Sequence, residues 1–134
     1  MQGMSAGRQA QVKDEPAAGA SRILLEAGER VAARYLTNHI RNGRPYDGCL
    51  YVTTQRLAYV PWPAAGTRGA TPFSIPLAEV SGADVAPRGT NWRDGSWRRR
   101  LRVTRSSGDA ELFVVWHARK TADLIEQARQ GHLS

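Results

Sequence analysis

The chain has 134 residues, 41% of them apolar and 23% charged, and a formal net charge of +7. That length suits one folded unit with a real core, and the mixture is neither that of a disordered nor of a fibrous chain. No apolar run approaches the roughly 20 residues of a spanning helix, and a single cysteine, Cys49, excludes an internal disulfide and reads as a small buried residue.

Met1 to about Ala20 mixes Gly, Ala, Gln and Ser without apolar periodicity, so residues 1–20 are expected to form a flexible leader. Arg8, Lys13, Asp14 and Glu15 interrupt any apolar core of a secretory signal, which points to a cytoplasmic protein. The folded domain is expected over residues 21–131, with 132–134 as a tail. Ser21 to Ala27 contains Ile23, Leu24 and Leu25 and predicts either a short helical turn or a segment tucked against the domain, ended by Gly28.

Short alternating runs punctuated by Gly, Pro, Asn and Asp then predict strands. The first is Arg30 to Leu36, where Val31, Ala33 and Tyr35 alternate with Ala32 and Arg34. Its partner is Tyr46 to Thr53, and Thr37 to Pro45 between them reads as a polar, doubly basic loop with Asn42 and Gly43 as turn residues. Thr53, Thr54 and Gln55 form a tight turn into Arg56 to Val60, and Pro61 and Pro63 end that strand by removing donors. Ala64 to Ala70 is a connection. Pro72 to Ile75 and Leu77 to Val85 follow as two strands with Pro76 at the corner and Gly82 marking a bulge or a bend.

The basic charge is concentrated in the next stretch. Arg88 to Arg105 holds seven arginines and one acid, Asp94, whereas residues 1–28 balance their charges. After a loop, Ala86 to Gly95, the strand Trp97 to Arg105 places Trp97, Arg99, Leu101 and Val103 on one face and Arg98, Arg100 and Arg102 on the other. Leu101 and Val103 mark the core side. Ser106 to Asp109 is a turn, Ala110 to Trp116 the seventh strand. His117 to Gln130 lacks Gly and Pro, and Ala118, Thr121, Leu124, Ile125 and Ala128 recur at helical spacing, which predicts a closing amphipathic helix over about 118–130 stopped by Gly131.

This order, seven antiparallel strands and one C-terminal helix, together with Gly28 to Gly43 (GERVAARYLTNHIRNG), Gly48 to Pro61 (GCLYVTTQRLAYVP), Phe73 to Val85 and Phe113 to Trp116 (FVVW), resembles GRAM and bacterial domains of the pleckstrin-homology (PH) superfold. The resemblance implies a mainly β fold, a seven-stranded antiparallel barrel or pair of orthogonal sheets plugged by the helix. It also implies a head-group site around the first two strands, where this sequence has Arg34, His39, Arg41 and Arg44.

Two surfaces are therefore candidates for anion binding. One is Asn91 to Arg102, in which Arg98, Arg100 and Arg102 form a row of guanidinium forks suited to phosphate, flanked by Arg93 and by Trp92 and Trp97 for membrane insertion or base stacking. The other is Arg41 and Arg44. The same arginines also suit a solvated outer face. His39, His117 and His132 are dispersed, so no metal site is expected. No nucleophile elbow, P-loop, dinucleotide loop or His-Glu-x-x-His is present, so the reading is a binding module with no cofactor, not an enzyme. Its expected partner is an anionic lipid or acidic protein surface, peripheral at the inner membrane. A peptide groove between the last strand and the helix is the alternative, and nucleic acid a third.

Overall fold

The computed structural model describes residues 23–87 and 99–132. The expected leader, the loop after Pro87 and the start of the arginine strand, with Trp92, Arg93, Trp97 and Arg98, lie outside the described residues.

Strands β1 (Val31–Arg41) and β2 (Arg44–Thr53) form a long hairpin, with Arg41 opposite Arg44. The turn is only Asn42–Gly43, at φ 52° and 75°, the paired positive angles that match the twist of a two-residue hairpin. The loop expected over Thr37 to Pro45 is thus corrected to strand. Polarity misled there because the polar side chains are satisfied inside: Thr37 Oγ1 donates to the Val114 carbonyl at 3.0 Å, and His39 Nε2 lies 2.8 Å from Glu111 Oε1.

β3 (Arg56–Pro61) pairs with β2 and with β4 (Phe73–Pro76). Between them Pro63–Gly66 winds into one helical turn, α1, where the sequence suggested a plain connection; Pro63 fits the first helical position, whose amide needs no partner. A 3-10 turn, Leu77–Glu79, leads from β4 into β5 (Val80–Ala86), which pairs with β6 (Arg100–Arg105) and carries the expected irregularity between Val80 and Gly82. β7 (Ala110–Val114) stops two residues short of the expected end, leaving Val115 buried and Trp116 81% exposed. Helix α2 (Ala118–Arg129) buries Ala118, Thr121, Ala122, Ile125 and Ala128 and ends at Gly131, φ 77°.

All pairings are antiparallel, in the order β4-β3-β2-β1-β7-β6-β5. The sheet curls, so that Leu50, Val52, Leu57, Tyr59 and Ile75 from one half share a core with Leu101, Val103 and Phe113 from the other and with Ile125 of α2. A second cluster lies on the outer face of β2, where Ile23 covers Cys49, Tyr51 and Ala58. Ile23 is therefore tucked against the domain ahead of Gly28, and Cys49 is buried as expected.

The Thr53–Thr54–Gln55 turn is tied to that entering segment. Thr53 Oγ1 accepts the amides of Gln55 and Arg56, each at 3.0 Å, and bonds Glu29 Oε2 at 2.5 Å. Arg56 Nε reaches the same carboxylate oxygen at 2.8 Å, and its Nη2 donates to the Leu24 carbonyl at 2.6 Å.

Candidate anion-binding cleft

Among the described residues, each arginine candidate acquires its direction from strand register. His39 faces Phe113, which faces Leu101, so these residues share the inner row. Arg41, two residues beyond His39, continues that row, with Arg44 opposite it. Ile40, Leu112 and Arg102 form the alternate, outer row, to which Arg100 also belongs. Arg41 and Arg44 therefore do not share a face with Arg100 and Arg102, and the two basic candidates are separate surfaces.

Arg41 is tied at the barrel mouth, where its Nη1 donates to the Gly69 carbonyl at 3.1 Å. Beside it a cavity of about 230 Å³ is lined by His39, Tyr46, Tyr59, Phe73 and Glu111. His39 packs between Tyr59, Phe73 and Phe113 at centroid distances of 4.9–5.1 Å, and burial pushes the Tyr59 phenol well above its ordinary value. Glu111, which also sits 3.4 Å from Arg105, puts a carboxylate into this cavity and disfavours an anion there.

On the outer row, Arg102 is engaged by Asp84, its register partner, at 2.9 and 2.6 Å. Arg100 Nη2 donates to the Pro87 carbonyl at 3.1 Å, while its buried Nε has no partner among the described residues. The row of free guanidinium forks expected from spacing alone is thus partly committed to the protein itself: a cross-strand acid and a loop carbonyl were invisible to a one-strand periodicity.

A cleft of about 570 Å³ opens beside this row, lined by Val85, Ala86, Pro87, Arg99 and Arg119. Arg99 keeps the parity of Leu101, as the alternation predicts, but precedes the first residue of β6, past the end of the core, and is exposed. Arg119 comes from the first turn of α2, and its charge contributes to holding Asp84 below the ordinary carboxylate range, after the larger effect of the Arg102 hydrogen bonds. Among the described residues neither Arg99 nor Arg119 makes a hydrogen bond or ion pair, and none of those that line the cleft is a carboxylate. Arg119 was missed in the sequence because a helix surface cation carries no signal until the helix is placed against β5.

Among the described residues no helix is long and apolar enough to cross a membrane. No protein-family model matches the sequence, and no curated protein does. Solved structures do match. The N-terminal PH domain of Vps36 superposes with a TM-score of 0.60 at 15% identity, covering 87% of this chain and 89% of that one. The C-terminal domain of an unknown protein from Leishmania infantum gives 0.57 at 16% identity, covering 77% and 85%. With its curled seven-stranded antiparallel sheet and single closing helix, the chain has the PH-like fold.

Proposed function

We propose that this chain is a non-catalytic PH-like binding module that engages phosphate-bearing anionic surfaces, lipid head groups above all, through the Arg99–Arg119 cleft. The observation that carries the reading is the convergence of Arg99 and Arg119, neither paired within the described residues, on a cleft with no carboxylate among its described lining residues. Planar forks of this kind suit phosphate oxygens, and an arginine holds its charge at any physiological pH. Arg100 and Arg102 extend the basic surface on the adjoining outer strand face. Residues 88–98 add Arg88, Arg93 and Arg98 in sequence, with Trp92 and Trp97 for the bilayer interface. Arg41 and Arg44 form a separate, secondary basic rim.

Co-sedimentation with vesicles of phosphatidylcholine, with and without phosphatidylserine or a phosphoinositide, tests the reading at low and physiological salt. Binding is expected only with the anionic lipid, weakening as salt rises. Absence of binding at low salt, or equal binding to neutral vesicles, overturns it.

A further inference from the structure

β1 and β2 are paired along almost their whole length, yet their surroundings differ sharply. Gly48–Thr53 is buried throughout, whereas Val31–Leu36 alternates between half-buried and exposed. β2 lies between β1 and β3 with Ile23 over its outer face, whereas the other side of β1 is covered over only part of its length. β7 pairs with it only over Asn38–Ile40 and then departs toward α2, so no described strand pairs with Val31–Thr37 on that edge. Such an edge presents unpaired amides and carbonyls to any extended chain. The irregularity between Val31 and Ala33 limits the regular stretch to Ala33–Thr37.

The sheet's terminal strands are protected in ways that this edge is not. On β5 the Ala83 amide donates to Glu126 Oε2 of α2 at 2.8 Å, and β4 has only four residues, ending in a proline.

Where β7 departs, a groove of about 320 Å³ opens, lined among others by Leu36, Trp62, Val114, Val115 and Trp116. Leu36 is 60% exposed and Trp116 81%, two of the three large apolar side chains exposed among the described residues. Trp62 contributes a buried indole Nε1 without a partner among those residues. Charge completes the description. Arg34, exposed and on the same strand face as Leu36, makes no ion pair with a described residue, and Lys120 follows Trp116 in the first turn of α2. The acid in the groove, Asp47, is held by the Asn38 amide.

We propose that the open β1 edge at Ala33–Thr37, with Leu36 and Trp116 as its apolar seat and Arg34 as its charge selector, docks an extended acidic peptide segment of a partner protein as an added strand. Backbone pairing supplies register, the Leu36–Trp116 seat takes an apolar side chain, and Arg34 favours glutamate or aspartate beside it. This surface is independent of the Arg99–Arg119 cleft.

A short synthetic peptide of threonine, valine and glutamate, its lysine counterpart, and the acidic peptide N-methylated at alternate amides serve as probes. Binding to the full chain is followed by fluorescence anisotropy and by amide shifts in 15N-labelled protein. The acidic peptide is expected to bind with shifts centred on Ala33–Thr37 and the Trp116 indole, and N-methylation is expected to abolish binding. Trp116→Ala is expected to weaken it about tenfold or more, and Arg34→Glu to reverse the preference between acidic and lysine peptides. Binding that survives N-methylation, shifts confined to the Arg99–Arg119 cleft, or no binding of any peptide overturns the proposal. Two alternative occupants would overturn it as well: a concentration-dependent dimer abolished by Trp116→Ala, or vesicle binding lost in Trp116→Ala while no peptide binds. Loss of vesicle binding in the Arg99/Arg119 variants alone leaves this surface unaffected and bears only on the cleft.

Discussion

Arg102 and Asp84 face each other across β6 and β5, and the guanidinium grips the carboxylate through two hydrogen bonds of 2.9 and 2.6 Å. Both side chains are more than a third exposed, at 39% and 48%, so the pair is worth no more than about 1 kcal/mol of stability. Its larger consequence is electrostatic, because Asp84 cancels one charge of the basic surface. Asp84→Asn is therefore expected to strengthen binding to anionic vesicles while lowering the urea midpoint only slightly. Unchanged or weaker vesicle binding would remove Asp84 as a brake on this surface.

Removing the cleft arginines acts in the opposite direction. Each basic residue near an anionic bilayer contributes about 1 kcal/mol, so the Arg99→Ala/Arg119→Ala double variant is expected to lose roughly 10- to 30-fold in vesicle partitioning. Both residues are exposed and neither hydrogen-bonds within the described fold, so the thermal midpoint should hold. Arg41→Ala/Arg44→Ala, on the inner-row rim, is the matched control and should lose less.

Glu29 and Arg56 form the one ion pair whose acid is fully buried among the described residues, with 0% and 21% side-chain exposure. Burial alone would raise the Glu29 carboxyl, but hydrogen bonds from Arg56, Thr53 and the Glu26 amide, with the Arg56 charge, outweigh it and leave the group below its ordinary 4.5. The stabilisation is therefore complete above pH 4.5 and is lost as pH falls through the lower, folded-state value. Glu29→Gln is expected to cost about 3 kcal/mol near neutrality, as breaking a buried pair does. Its deficit against the parent chain in urea unfolding should shrink below pH 4.5; a deficit independent of pH would refute the carboxylate's role.

The sequence disclosed what one element can disclose about itself. Leu101 and Val103 alternate cleanly and are buried, Gly82 marks a real irregularity in β5, and Gly131 ends α2. The TTQR stretch was recognisable as a tight turn, although its hold on Glu29, 24 residues before Thr53, was not. What stayed hidden was set between elements. Thr37 and His39 looked like loop residues because their partners, Val114 and Glu111, lie more than 70 residues away. Arg102 looked free because Asp84 sits on another strand, and Arg41 could be assigned to the inner row only after β1 was registered against β7.

The β1–β2 turn offers a local test of the extended hairpin. Asn42 and Gly43 hold positive φ values of 52° and 75°, which a β-branched residue tolerates poorly. Asn42→Val/Gly43→Val should cost roughly 2–4 kcal/mol at about 1–2 kcal/mol per left-handed residue. A true loop over Thr37 to Pro45 would absorb both changes, so a shift under a few tenths of a kcal/mol would contradict the two-residue turn.

Gly48 and Gly66 should respond to alanine with opposite signs. Neither has positive φ, so in both cases alanine restricts the unfolded chain, an effect worth about 0.4–1 kcal/mol in favour of folding where space permits. At Gly66, in α1, an added Cβ meets nothing within 4 Å, and Gly66→Ala should be neutral or stabilising. At Gly48 the same carbon would stand 2.5 Å from the Val60 carbonyl oxygen, 2.7 Å from Tyr59 Cε1 and 2.9 Å from Pro61 Cα. Two of these are backbone atoms of β3, and the ring is fixed by its cluster with His39, Phe73 and Phe113 and by the 2.8 Å bond from its hydroxyl to the Tyr46 carbonyl. None can yield without moving β3 away from β2, so overpacking wins and Gly48→Ala should cost about 1–3 kcal/mol net. Urea unfolding of the two variants, measured side by side, decides the matter: a gain in stability at Gly48 would mean that β2 and β3 pack less closely there than these distances require.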